Sequence, residues 1–97
     1  MDIQKVELEE PLKIGETEVP SIELRKPNAQ ALQGLKIQAL LEGDVSSLSV
    51  LLPRISTPPL TKAQVMDLDP SDLAQCSGVI FLFLQPKSIR TQILQQM

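Results

Sequence analysis

Few side chains in this chain could do covalent or acid–base chemistry. Cys76 is the sole cysteine, and histidine, tryptophan and tyrosine are absent. A cysteine nucleophile needs an adjacent base, and no histidine is available to supply one. Inside an apolar stretch Cys76 reads instead as a small buried side chain. A single cysteine also forbids an intramolecular disulfide and a cysteine-based zinc site. Asp67, Asp69 and Asp72 have some of the spacing of a calcium loop. They lack its glycine and closing glutamate, and Pro70 suits a helix start better than coordination. Glu9-Glu10 reads as a solvated strand end rather than half of a catalytic pair. The four glycines are scattered singly, unlike a loop that cradles phosphate. The expectation is a chain with no cofactor, no metal and no catalysis, working by contact.

Composition points the same way. Ninety-seven residues, 42% of them hydrophobic and 22% charged, fit one small core. No apolar run approaches the roughly 18–20 residues that cross a bilayer, so no membrane span is expected. The first five residues lack the cationic-then-apolar layout of a secretory signal. The net charge is −3, and all of it lies in residues 1–27, where seven acids face four bases. Phosphate neutralisation requires clustered Lys and Arg, and no such stripe exists. Nucleic acid is therefore not an expected partner.

The elements that would present a contact surface can be placed by pattern. Val6, Leu8, Leu12 and Ile14 share one parity, as a half-buried strand requires. Pro11 cannot donate to a ladder, which predicts a bulge or an edge position. Gly15-Glu16-Thr17 is the expected turn. On the return arm the parity shifts between Val19 and Ile22, predicting a second bulge at Pro20-Ser21. Together these residues read as a bent β-hairpin over about 3–25. Asn28 can cap a helix carrying Leu32, Leu35, Ala39 and Leu40 on one face, with Gly34 weakening it and Gly43 closing it. Asp44 can cap a second, with Val45, Leu48 and Leu52 at helical spacing and Pro53 as its stop. Arg54 to Pro59 reads as a stiff connector. Thr61-Lys62-Ala63-Gln64 has the form of a capping box, with Leu60 and Val65 as its hydrophobic staple. Asp69, Pro70 and Asp72 repeat the start signals eight residues later, with Leu68 and Leu73 as a second staple. A helix over 70–84 follows, ended by Gln85-Pro86. The fold class expected is α+β, a bent hairpin followed by a small bundle of three to four short helices. The helices span about 28–84, residues 1–84 form a single domain, and 85–97 make a C-terminal amphipathic tail.

Two segments are candidates for partner contact. Val79, Ile80, Phe81, Leu82, Phe83 and Leu84 are six successive apolar residues, which on a helix point in every direction around the axis. Either the hairpin and first two helices cover them all, or part of the run faces another subunit or a client protein. In the tail, Ile89, Ile93, Leu94 and Met97 fall on one face of a short helix that is marginal alone. That tail can dock on its own domain, stay unfolded or lie in a partner's groove.

The order of these signals is similar to a known family. Pro11-Leu12, Gly15, Val19 and Ile22-Glu23-Leu24-Arg25-Lys26-Pro27 resemble the hairpin opening of the tail assembly chaperones of contractile-tailed phages related to Mu and P2. Leu60-Thr61-Lys62-Ala63-Gln64-Val65 and Leu68-Asp69-Pro70-Ser71-Asp72-Leu73 resemble the family's second signature. The likeness spans about residues 6–84. It implies a non-catalytic protein of the host cytoplasm, absent from the mature virion, that binds the tape measure protein and promotes tail tube assembly around it. It also implies contact with the tail tube protein through a frameshift-extended form. Sixteen leucines and three methionines suit adaptable contacts, and coating a long client makes self-association an expectation. The alternative is a structural tail or head–tail joining component retained in the virion.

Overall fold

A computed structural model describes residues 3–86 and residue 88. The chain opens with an antiparallel hairpin, β1 (Ile3–Ile14) and β2 (Thr17–Arg25), then α1 (Ile37–Leu41), α2 (Val45–Ile55), β3 (Ser56–Thr57), α3 (Lys62–Met66) and α4 (Pro70–Phe83). The fold is α+β, as expected. Gly15 takes φ +63° at the first of two loop positions, a conformation that costs glycine little.

The two expected bulges are one irregularity seen from both strands. Between the pairs Glu7↔Ser21 and Leu12↔Val19, the residues Leu8, Glu9, Glu10 and Pro11 stand opposite Pro20 alone. Neither proline can donate to the ladder, so the strands separate where both lie. Val6, Leu8 and Leu12 still face inward, joined by Ile22 and Leu24 from β2.

The connection after β2 departs from expectation. The single helix carrying Leu32 to Leu40 does not form. Asn28 Oδ1 accepts the Ala31 N–H at 2.9 Å, so the cap is present, but residues 28–35 run as successive turns with i to i+3 hydrogen bonds. Gly34, at φ +83°, breaks the run, because a left-handed residue cannot continue a right-handed helix. Helix begins only at Ile37. Arg54 then holds the turns in place, donating from Nη1 to the carbonyls of Ala31 and Gln33 at 2.8 and 2.9 Å. Arg25 in turn donates to the Arg54 carbonyl at 2.8 Å.

Two further corrections fall next to Arg54. Pro53 does not stop α2, which continues to Ile55, since buried Leu51, Leu52 and Ile55 anchor its last turn in the core. Val45, expected on the inner face, is exposed. The supposed connector also contains a strand, β3, which pairs with β2 through Leu24↔Ser56 and Glu23↔Thr57. The sheet order is thus β1-β2-β3, leaving β1 at one edge.

The last two helix starts match the local signals. Thr61 accepts the Gln64 N–H and Gln64 accepts the Thr61 N–H, a complete capping box. Leu60 and Val65 are both buried. Asp69 caps α4 by accepting from Ser71, with Pro70 in the first turn. One core joins the hairpin and helices, centred on Ile22, Leu24, Leu40, Leu48, Leu51, Leu52, Ile55, Val65 and Ile80. Among the described residues no helix is long and apolar enough to cross a membrane.

Candidate protein-contact site

The outward side of α4 and the adjoining edge of β1 form the candidate site, and one carboxylate sets their relation. Asp72, in the first turn of α4, is fully buried. Its Oδ1 accepts the Glu9 N–H at 2.7 Å and its Oδ2 accepts the Glu10 N–H at 3.1 Å. The Gln75 side-chain amide adds a longer contact of 3.3 Å to Oδ1. Glu9 and Glu10 lie in the stretch of β1 that has lost its β2 partners, so Asp72 supplies acceptors the ladder cannot. The carboxylate thereby clamps the start of α4 to the bulge. Reading Asp72 as a favourable helix-dipole charge missed this role. The available signal was Pro11, which marked where backbone donors would need partners from elsewhere.

From that anchor α4 runs along β1 with Asp72, Cys76, Ile80 and Phe83 turned into the core. These positions recur at 4, 4 and 3 residues, the inner face of a helix. Cys76 is fully buried; burial first, and the nearby Asp72 charge second, push its thiol up from 9.0 to about 11. A thiol held neutral in this way is a poor nucleophile. Among the described residues, no three or more His, Cys, Asp or Glu side chains converge as metal ligands.

The six apolar residues of the sequence-predicted site are therefore divided. Ile80 and Phe83 belong to the core, at 0% and 7% exposure. Phe81 is 38% exposed, and Val79, Leu82 and Leu84 are half-buried. Val79, Phe81 and Leu82 come together with Gln75 and Gly78, facing Gln4, Lys5 and Val6 of β1 across an open groove of about 410 Å³. Its lining is mostly apolar. A smaller groove of about 260 Å³ lies among Gly43, Val45, Leu48, Pro70, Leu73, Ala74 and Ser77. Ile89, Ile93 and Leu94 lie outside the described residues.

The groove can hold apolar side chains, with Gln4, Lys5 and Gln75 supplying the polar part of its lining. Its rim carries the exposed Lys5–Glu7 ion pair at 3.5 Å, which contributes little to stability. Such a surface suits a protein partner.

Comparison with known proteins agrees with a contact role. Residues 5–85 match the family model described as "Phage tail assembly chaperone proteins, E, or 41 or 14". The chain is 34% identical to tail assembly protein E of Escherichia phage P2 over 85 residues, 88% of this chain and 93% of that protein. It is also 34% identical to tail assembly protein E' of the same phage over 79 residues, 81% of this chain but only 56% of that longer protein. No solved structure matches. With both sequence signatures inside the matched segment, this chain belongs to the phage tail assembly chaperone family and has a role in tail assembly.

Proposed function

We propose that this chain binds the tape measure protein in the host cytoplasm, keeps it soluble and promotes assembly of the tail tube around it, without catalysis and without remaining in the mature virion. The observation that carries this reading is the apolar groove beside Phe81, which is open among the described residues although the core behind it is complete. Family membership supplies the tail context. An apolar helix of the client would lay one face against Val79, Phe81 and Leu82, which is how amphipathic helices engage hydrophobic grooves. The half-exposed apolar side chains give affinity without a rigid pocket, so successive stretches of a long client can use the same surface. An extended form sharing this chain's fold would add a second contact, to the tail tube protein. The greater length of the E' relative supports the existence of such an extended form.

The test is co-expression with the tape measure protein. Wild-type chain should keep the client in the soluble fraction and co-purify with it, and Phe81→Asp should abolish both while remaining folded. Equal client solubility with the Phe81→Asp protein would overturn the groove assignment. Recovery of the chain at stoichiometric amounts from purified virions would overturn the chaperone reading in favour of a structural component.

A further inference from the structure

The two walls of the groove beside Phe81 are far apart in sequence: Gln4, Lys5 and Val6 of β1 face Gln75, Val79 and Leu82 of α4. The β1 wall is fixed by the sheet, since Ile3 to Glu7 pair with Arg25 to Ser21 of β2. Where that ladder lapses, the Glu9 and Glu10 amides turn to Asp72 instead. We infer that Asp72 is the positioning residue of the client groove: from outside the lining, it sets the distance between α4 and β1 that client side chains meet. The part that concerns the client rests on the proposed function; the control of spacing does not.

Three features give Asp72 this reach. The first is its place. Asp72 lies seven residues before Val79 on α4, about 10 Å at helical rise. Glu9 lies three residues beyond Val6 on β1, also about 10 Å at the rise of a strand. The clamp thus sits off one end of the groove, at a similar distance along both walls. The second is its geometry. One carboxylate oxygen takes each of two successive amides, at 2.7 and 3.1 Å, so the helix start can neither slide along β1 nor swivel about a single bond. The rest of α4 meets the core through Cys76, Ile80 and Phe83, and apolar contacts are not directional. A tilt of about 4° at Asp72 would carry Leu82, about 15 Å along the helix, by about 1 Å. The third is a direct link. The Gln75 side chain donates to Asp72 Oδ1 at 3.3 Å and itself lines the groove. Because coupling between sites is reciprocal, a client that favours this spacing must in turn tighten the clamp.

Asp72→Asn tests the inference, because it keeps the shape of the side chain and one acceptor. Thr61→Ala is the control, the loss of a helix cap at a residue outside the groove lining. Without client, the methyl NMR signals of Val6, Val79 and Leu82 should shift in the Asp72→Asn protein and stay in place in the Thr61→Ala protein. With a soluble fragment of the tape measure protein, Asp72→Asn should weaken binding at least about tenfold, and Thr61→Ala less than about twofold. In the wild type, that fragment should slow amide exchange at Glu9 and Glu10 by more than it slows the amides of β2. A purely stabilising role for Asp72 would not produce that local excess. Unmoved methyl signals in the Asp72→Asn protein overturn the inference. So does an equal effect of the two substitutions on binding, or fragment binding with no excess slowing at Glu9 and Glu10. If the methyl signals move but wild type binds no fragment, the client reading falls and the control of groove spacing stands.

Discussion

Replacing Asp72 with alanine should destabilise the fold by about 2–3 kcal/mol. The substitution strips the acceptors from the Glu9 and Glu10 amides, bonded at 2.7 and 3.1 Å. Leaving a buried donor unsatisfied costs about 1–3 kcal/mol. Both glutamates have exposed side chains, so water can reach the freed amides in part, and the low end of that range applies to each. If Asp72 acted only as a helix-dipole charge, its removal would cost about 0.3–1 kcal/mol. The two accounts are therefore separable by magnitude. Asparagine retains one carbonyl oxygen and turns a donor toward the other amide, so Asp72→Asn should fall between, at about 1–2 kcal/mol. Urea unfolding followed by circular dichroism reads the difference as a lower midpoint at unchanged slope. In a thermal melt the alanine variant should lose about 8–24 °C, at about 4–8 °C per kcal/mol for a domain near this size. Amide exchange at Glu9 and Glu10 should accelerate before the rest of the hairpin. A loss below about 1 kcal/mol with unchanged protection at those two amides would refute the clamp.

Other consequences follow from the same packing. Ile80→Ala should cost about 2–5 kcal/mol because it opens a cavity in the core, whereas Phe81→Ser should change stability far less and act on client binding; equal destabilisation by the two would mean that the inner and outer faces of α4 are misassigned. Thr61→Ala should cost about 1 kcal/mol through loss of the capping box, measured by urea unfolding. The raised Cys76 thiol predicts a pH dependence: its contribution is whole below the unfolded value of 9.0 and is lost as pH rises through about 11. Melting temperatures from pH 8 to 11 should therefore fall more steeply for wild type than for Cys76→Ala, and parallel profiles would remove the thiol from the account.

Features settled within a few residues were legible in the sequence. The capping box at Thr61, the cap at Asp69, the turn at Gly15 and the inward parity of Val6, Leu8 and Leu12 each depend on local backbone sterics or on side chains close along the chain. The contact run at 79–84 was legible as apolar but not as divided. Helical spacing alone does not say that Ile80 and Phe83 meet the core while Phe81 meets solvent. That partition follows from the direction in which Asp72 ties α4 to β1.

Features that depended on distant partners were hidden. The turns at 28–35 are held by Arg54, more than twenty residues away, and β3 exists only because β2 presents an edge to Ser56 and Thr57. The residue types and their order determined the α+β class, the helix starts and the scarcity of reactive groups. Tertiary structure alone decided that an acidic helix-start residue would satisfy a strand bulge 62 and 63 residues earlier, and that the described residues would leave an apolar groove between α4 and β1. The physical reason is that a buried amide takes any acceptor the fold brings within reach, whatever their separation along the chain.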